Sequence, residues 1–468
     1  MANTKRLDHR SDSSQRIRLR LQRGLHKDHS VLLSDISVAS IQEYVYLVQM
    51  DIGGQSFWMT FDTGSSDLWV ASSDCSNSDC QGVMRYSSSL SRTLTLLDQS
   101  FRLTYLMGSA LGTVGTETVT LGPYEISSQM LALANQTSGL GLSSNGNSGI
   151  LGLAFPLAAS IPLTSGTPVL NNLFAHLDDQ HRFFAFKLGR NESRDVSYSD
   201  SSIAVGGLDS SLTNDTSQFV FTSVFASAGE EYDFWKLPIQ EITINSQILP
   251  LSSSLIRGAL SPIAVLDTGT TLILGPTEDV DAFWNAIGTG ASTRFNQQTQ
   301  TWQVRCERAV DIRITLGNSD NARDYPLHPE DVNWAEDGVR DGWCTGGIQA
   351  NDAVTSGDWI LGGMFLRNVY VIHQGATNSA PPMIGLLSMT NPSTALAEFI
   401  SSRGADPAPP PFMRRAGFSA TKMRDAIATC VTCFDFIGIR GTKQNSNHVL
   451  DFAENIAASN FGYWQLQQ

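Results

Sequence analysis

Hydrophobic and polar residues alternate over short stretches through most of the chain, and glycine-bearing breaks separate these stretches. Residues 44–48 form one such stretch and lead into the pair Gly53 and Gly54. Alternation with a period of two is typical of half-buried β strands, and glycine is typical of the turns between them. A helical spacing of apolar residues occurs between Asp279 and Ile287. The pattern therefore predicts a mainly β protein between about residues 43 and 390.

One apolar run that ends in an acidic turn occurs twice. Residues 58–61 precede Asp62-Thr63-Gly64, and residues 263–266 precede Asp267-Thr268-Gly269. An aspartate between an apolar strand and a glycine is expected in a tight loop that leaves a buried strand. A second repeat follows at similar distances, because an Ile-Leu-Gly element begins at Ile150 and again at Ile360. The two repeats predict one lobe used twice, with two carboxylates in matching settings.

With these motifs the chain resembles the pepsin-like aspartic peptidases, most closely their secreted fungal members, over about residues 40 to 390. The resemblance implies a bilobal pepsin-like fold of two pseudo-symmetric β-barrel-like lobes with the active site in the cleft between them. Residues 43–190 would form the N-terminal lobe with the first Asp loop and the flap. Residues 191–390 would form the C-terminal lobe with the second Asp loop. Asp62 and Asp267 would be catalytic, since two adjacent carboxyl groups that share a proton can activate a water.

The resemblance also assigns roles to the neighbours of the two aspartates. Thr63 and Thr268 would bond across the two loops. Gly64 and Gly269 would donate N–H groups to the carboxyl pair, while the hydroxyls of Ser65 and Thr270 would bond its outer oxygens. These six residues are the expected supports of the active site.

Residues 103–109 resemble the flap hairpin of the family, although without the Asp loops an ordinary exposed hairpin would be the preferred interpretation. Tyr105 matches the flap tyrosine, and Trp69 matches the tryptophan that positions it. Leu106 and Met107 make the tip bulkier than in relatives, which usually carry glycine directly after the tyrosine. The expected flap and substrate-binding residues are Tyr105, Leu106, Met107, Gly108, Trp69 and Thr60.

Composition and charge narrow the class of protein. The 468 residues suit two lobes plus extensions, and 41% hydrophobic against 16% charged residues is unlike a disordered chain. A formal net charge of −14 argues against nucleic acid or an anionic membrane as a partner. The histidines are scattered, and the pair His26 and His29 lacks a partner cluster, so neither a metal nor a cofactor is expected.

Six cysteines fall into three local pairs. The resemblance implies disulfides Cys75–Cys80 and Cys306–Cys344, which require an oxidising compartment. Cys430 and Cys433 lack the further ligands that a zinc or redox motif would need, and their role is open. Asn135, Asn191 and Asn214 begin glycosylation sequons. These features favour an extracellular or vacuolar protein, although no apolar signal-peptide core follows Met1 in the sequence as given.

Both ends of the chain differ from the centre. Residues 1–42 begin with a basic stretch and are interpreted as a remnant of a pro-segment or a disordered arm; a cytosolic protein and a nucleic-acid-binding arm are the alternatives. Residues 391–468 are interpreted as a Pro/Ala linker and a tail of unknown role. No stretch is apolar enough for a membrane span, and a monomer is expected.

The preferred function is an aspartic-type endopeptidase that cuts protein or peptide substrates at acidic pH and prefers large hydrophobic residues at the scissile bond. The alternative is a pepsin-fold binding or inhibitor protein without proteolytic activity, whose usual sign is the loss of one aspartate. Both aspartates are present. The Gly-x-Ser-x-Gly and His-Glu-x-x-His motifs of other hydrolases do not occur in the sequence.

Overall fold

Strands dominate the computed structural model, which describes residues 19–23, 45–161, 166–190, 201–226, 231–334 and 341–405. The predicted mainly β class is therefore confirmed. The interpretations of Asn191, Cys430 and Cys433 fall outside the described residues, as do most of those for residues 1–42.

The strands are numbered along the chain. The first ten in the described ranges are β1 Leu19–Arg23, β2 Tyr46–Ile52, β3 Gln55–Asp62, β4 Leu68–Ala71, β5 Thr95–Thr104, β6 Ser109–Leu121, β7 Tyr124–Ser138, β8 Gly149–Gly152, β9 Phe183–Lys187 and β10 Ser202–Val205. The later strands are β11 Val220–Ser223, β12 Lys236–Ile244, β13 Gln247–Ile248, β14 Ile263–Leu266, β15 Ile273–Gly275, β16 Thr293–Asn296, β17 Thr301–Arg305, β18 Ile312–Leu316, β19 Arg323–Pro326, β20 Asn333–Trp334, β21 Trp343–Gly346, β22 Ile348–Ala350, β23 Trp359–Leu361, β24 Val369–Gln374 and β25 Met383–Ser388.

Helices are short and lie between the strands. The α-helices of the described ranges are α1 Leu142–Asn145, α2 Val169–Ala175, α3 Thr277–Gly288, α4 Pro329–Val332, α5 Gly363–Leu366 and α6 Pro392–Arg403. Single 3-10 turns occur at Ser78–Cys80, Ser88–Leu90, Pro156–Ala158 and Thr216–Gln218. The predicted helix between Asp279 and Ile287 is part of α3.

The first lobe is a closed barrel. Its strands follow the order β2-β3-β8-β4-β7-β6, and pairing of β2 with β6 closes the ring. Inward-facing residues of β2 and β3, such as Val48, Phe57 and Phe61, are almost fully buried, as the alternating pattern predicts. β5 pairs with β6 outside the ring and forms the hairpin whose tip is the flap.

The second lobe has an eight-stranded sheet in which β19-β18-β12-β14-β23-β15-β22 are consecutive and β13 pairs with β12. A four-stranded sheet, β16-β17-β21-β20, completes it. Cys306 follows β17 and is bonded to Cys344 on β21, and in the first lobe Cys75 is bonded to Cys80. Both are the pairings that the resemblance implies.

The barrel strands also belong to a larger sheet with the order β11-β25-β24-β9-β10-β1-β2 before it enters the barrel. In that sheet β1, which comes from the basic N-terminal stretch, pairs with β10 on one side and β2 on the other. β1 thus lies between two strands that are far apart in sequence and pairs with both.

Helix α6 extends the folded region beyond residue 390, where the linker was expected to start. Asn391 caps the helix by accepting N–H bonds from Ser393 and Thr394, and Phe399 is fully buried. Ser402 donates a hydrogen bond to Glu330 of α4. In sequence this segment resembles a linker because it is largely polar and begins with Pro392. In the structure, burial of the Phe399 side chain packs the helix against the folded region. Among the described helices, none is both long and apolar enough to cross a membrane.

Candidate active site

The two Asp loops leave corresponding strands of the two lobes. In the first lobe β3 runs parallel to β8, so that Asp62 lies opposite Gly152. In the second lobe β14 runs parallel to β23, where Leu266, the residue before Asp267, lies opposite Leu361. The two repeated motifs of each lobe are therefore neighbours in space. This explains why an Asp-Thr-Gly element and an Ile-Leu-Gly element recur together.

Thr63 and Thr268 join the loops by reciprocal hydrogen bonds. The Thr63 hydroxyl donates to the Leu266 carbonyl at 2.8 Å and accepts the Thr268 N–H at 3.1 Å. The Thr268 hydroxyl donates to the Phe61 carbonyl at 2.6 Å and accepts the Thr63 N–H at 3.0 Å. All four bonds are buried, so breaking any of them would leave a polar group without water. The network fixes the two loops relative to each other.

The carboxyl groups of Asp62 and Asp267 are close enough for the negative charge of Asp267 to raise the pKa of Asp62. Each is held in the same way by its own loop. The Gly64 N–H and the Ser65 hydroxyl donate to Asp62, at 2.8 and 2.5 Å. The Gly269 N–H and the Thr270 hydroxyl donate to Asp267, at 2.8 and 2.6 Å. In each carboxyl group the glycine N–H holds Oδ1 and the hydroxyl holds Oδ2, so both oxygens are positioned by the residue's own loop.

Close approach of the loops requires glycine at Gly64 and Gly269. A Cβ at Gly64 would lie 2.3 Å from the Asp267 carboxyl carbon, and one at Gly269 would lie 2.4 Å from Asp62 Oδ1. Any larger residue would push the carboxyl groups apart.

Burial and the negative charge of Asp267 raise the pKa of Asp62, although hydrogen bonds from Ser65 and Gly64 act in the opposite direction. Asp62 is only 6% exposed. A carboxyl group in this setting binds a proton more readily than one in water, and its partner then carries the charge. The pair can offer one acid and one base side by side.

The flap carries Tyr105 over the pair. The tip is closed by a hydrogen bond from the Tyr105 N–H to the Gly108 carbonyl at 3.0 Å, and Gly108 has a positive φ of 83°. The Trp69 indole N–H donates to the Tyr105 hydroxyl at 2.7 Å. Burial, followed by the charge of Asp62, raises the pKa of Tyr105, so the phenol stays protonated. The flap tyrosine is thus anchored to the barrel wall.

The cleft between the flap and the Asp loops has a volume of about 380 Å³. It is lined by the expected residues Thr60, Gly64, Ser65, Tyr105, Leu106, Met107, Asp62, Asp267, Gly269 and Thr270. Four other expected residues do not line the cleft but make hydrogen bonds that support the residues lining it: Thr63, Thr268, Trp69 and Gly108. Leu106 is 49% exposed at the entrance.

Sequence reasoning missed several residues of the cleft. Asn147 lines it and donates to the Thr60 hydroxyl at 2.9 Å, which holds Thr60 in place. Arg102 of β5 and residues 353–356 of the second lobe also line it. Nothing in the sequence around Asn147 indicated that it lines the cleft. The alternation along β5, by contrast, could have indicated which face of the strand Arg102 occupies.

Comparison with known proteins covers about three quarters of the chain. Residues 43–381 match the model of the eukaryotic aspartyl protease family. The chain belongs to this family. It is similar to Major aspartyl peptidase 1 of Cryptococcus neoformans var. grubii, at 29% identity over 79% of the chain and 72% of the relative. It is also similar to pepsin A of Sus scrofa, at 30% identity over 75% of the chain and 83% of the relative, and to chymosin of Callithrix jacchus, at 30% identity over 69% and 76%.

Membership has two direct consequences. The fold is the bilobal pepsin-like one, and the protein is an aspartic-type endopeptidase that acts on peptide bonds. Within the ranges that the structure describes, no three His, Cys, Asp or Glu side chains are grouped so that they could hold a metal ion.

Proposed function

We propose that this endopeptidase cleaves peptide bonds at acidic pH with a water held between Asp62 and Asp267. The observation that carries the proposal is the pair of adjacent carboxyl groups, each fixed by a backbone N–H and a hydroxyl of its own loop. Two such groups cannot both ionise at low cost, so in acid one is charged and the other is protonated.

The reaction follows from this shared proton. The charged carboxylate takes a proton from the water, and the water oxygen attacks the scissile carbonyl carbon. The protonated carboxyl group donates its proton to the carbonyl oxygen, which becomes a hydroxyl. The resulting tetrahedral species collapses when the carboxyl group that took the proton from the water donates it to the amide nitrogen. The other carboxylate takes a proton back from one hydroxyl, the C–N bond breaks, and the amine and the carboxylic acid leave. No covalent bond to the protein forms, and the roles of base and acid belong to the pair jointly.

The flap completes the site over a bound substrate. Tyr105, held by Trp69, covers the pair and helps to exclude water from the reacting bond. Met107 and Leu106 give the adjacent part of the cleft an apolar lining. No carboxylate stands at Met107 to pair with a buried ammonium, so a large apolar side chain beside the scissile bond gains about 1.5–3 kcal/mol from burial where a lysine would lose energy.

The N-terminal segment before about residue 43 is proposed to be the remnant of a pro-segment. Residues 1–30 contain eight Lys and Arg residues, opposite in charge to a protein of net charge −14. Strand β1 pairs with β2 so that Arg23 lies opposite Tyr46, one residue from Val45, which lines the cleft. The end of β1 therefore lies near the cleft. Acid would protonate the carboxylates that attract the segment, and autocatalytic removal would follow.

The disulfides and sequons support export of the protein to an oxidising compartment, outside the cell or in the vacuole. Asn135 and Asn214 are both exposed, as glycosylated residues must be. A monomer with protein or peptide substrates fits these features.

A pH–rate profile on an unfolded protein substrate tests the proposal. We expect a maximum in acid and complete inhibition by a pepstatin-type inhibitor, whose hydroxyl replaces the water. A maximum above neutral pH would contradict the shared-proton mechanism. In a peptide-library digest, the Met107→Asp variant should raise cleavage after lysine relative to phenylalanine. N-terminal sequencing after acid incubation should show shortening of the chain, and full activity without shortening would exclude the pro-segment role.

A further inference from the structure

Arg102 lies on the flap strand β5 and is one of the residues that line the cleft. Phe101 and Leu103, its neighbours, are 8% and 6% exposed and pack into the hydrophobic cluster beneath the flap. Successive strand residues point to opposite faces, so Arg102 and Thr104 lie on the other face of β5 from Phe101, Leu103 and Tyr105. Both are exposed, and both line the cleft.

The charge of Arg102 is unusual for its place. The other ionised or ionisable acidic and basic side chains among the described lining residues are the carboxyl groups of Asp62, Asp67 and Asp267. Asp67 accepts N–H bonds from Ser160 and Ile161, and the two other carboxyl groups are held by their own loops. None of them forms an ion pair with Arg102. In the described part of the chain Arg102 is an exposed cation in a cleft whose other charged groups are acidic.

We propose that Arg102 binds a carboxylate side chain of the peptide substrate and is a specificity-determining residue. This inference rests on the proposed endopeptidase function and extends it. A guanidinium presents a fixed fork of donors that matches a carboxylate. An acidic side chain elsewhere in the cleft would meet only like charges, so Arg102 determines where along the substrate such a residue is accepted.

The position of the acidic residue follows from strand geometry. Arg102 is three residues before Tyr105, which corresponds to roughly 10 Å along β5. An extended peptide advances about 3.3–3.6 Å per residue. The recognised carboxylate therefore belongs to a residue roughly two to four positions from the scissile bond.

The preference has a pH signature because only one partner titrates in the working range. A glutamate side chain ionises around pH 4.3, whereas the guanidinium stays charged. The other ionisable side chains that line the cleft are Asp62, Asp67, Asp267 and the protonated Tyr105. Selectivity for Glu over Gln should be absent near pH 3 and grow as the pH rises through the glutamate pKa.

Matched peptides that differ only by Glu or Gln test the proposal. The residue is varied at the second, third and fourth positions on each side of the cleaved bond, and kcat/KM is measured at pH 3 and pH 5.5. We expect the Glu/Gln ratio at one position to be about three- to tenfold at pH 5.5 and about one at pH 3. Arg102→Gln should bring the ratio to about one at both pH values. Arg102→Glu should instead favour Lys over Gln at the same position.

Arg92→Gln is the matched control, since Arg92 is exposed but is not among the residues that line the cleft. It removes the same charge and should leave the Glu/Gln ratio unchanged. A ratio of one in the wild type, or equal loss in both variants, would overturn the role of Arg102. If the wild type cleaves neither peptide, the proposed function fails instead. Peptide Kd values from fluorescence anisotropy then decide the role of Arg102 by the same Glu/Gln ratios.

Discussion

The two lobes have the same arrangement of strands beneath the reacting carboxyl groups, but they differ on the side that covers those groups. In the first lobe Trp69 of β4 lies opposite Ile150 of β8, and in the second lobe Leu274 of β15 lies opposite Ile360 of β23. The strand arrangement is the same. However, Trp69 has an indole N–H that holds the flap tyrosine, and the side chain at Leu274 has no donor to offer. Only the first lobe carries a flap over the aspartate pair in the described structure.

The symmetric Asp loops and the asymmetric flap therefore have different roles. Symmetric loops place two carboxyl groups in equivalent settings, which a shared proton requires. An asymmetric cover then gives the cleft one adjustable wall, formed by β5 and β6, while the second lobe contributes residues 353–356 on the opposite side. Changes in the loops should therefore affect both lobes alike, and changes in the flap support should affect one side only.

The largest effect should come from replacing either aspartate. Asp62→Asn and Asp267→Asn should each lower kcat/KM by about 10⁴-fold, because an amide can neither share the proton nor accept one from the water. The fold should survive, as circular dichroism and the melting temperature would report. Asp98→Asn changes an exposed carboxylate of β5 and serves as the control. Near-normal cleavage by one of the two variants would refute a joint role.

Removing the crossed hydroxyls should destabilise both lobes equally. Thr63→Val and Thr268→Val keep the shape of the side chain but leave a buried carbonyl and a buried N–H unpaired. Each should lower the free energy of unfolding by about 2 kcal/mol, measured by urea denaturation, and the serine variants should restore most of it. Clearly unequal losses of unfolding free energy would mean that the two equivalent sets of hydrogen bonds do not contribute equally to stability.

A change in the flap anchor should reduce activity without changing stability as much. Trp69→Phe removes the donor to Tyr105, and we expect kcat/KM to fall about tenfold because the tyrosine loses its fixed position. Tyr105→Phe should resemble it. The control is Trp302→Phe, since Trp302 donates to Asp281 far from the flap. An equal fall in the control would point to a general packing effect.

The smallest effect concerns pH. The Ser65 hydroxyl lowers the pKa of Asp62, so Ser65→Ala should raise that pKa. Whichever limb of the pH–rate profile Asp62 governs then moves upward, by about 0.5–1 pH unit. Thr270→Ala, the equivalent change in the other loop, should move the optimum in the same direction. A downward shift in either variant would show that the hydroxyl does not bond the charged carboxylate during the reaction.

Local patterns in the sequence determined the fold class and the core of the site. Alternation of apolar residues marks strands because side chains on a strand alternate between core and solvent. Aspartate followed by Thr-Gly marks the loops because a small residue must permit the close approach of the two carboxyl groups. Both are properties of a few consecutive residues, so the amino-acid sequence by itself indicates the duplication of the lobe and the pair Asp62 and Asp267.

Contacts between distant residues were decided only by the tertiary structure. The Thr63 and Thr268 bonds join residues 205 positions apart, and Asn147 supports Thr60 from 87 positions away. The sequence likewise contained Arg102, but the proposed role of this residue depends on the place of β5 beside the cleft. Helix α6 belongs to the body because Phe399 is buried there. Burial and pairing of this kind arise from the packing of whole lobes, and no short segment carries them.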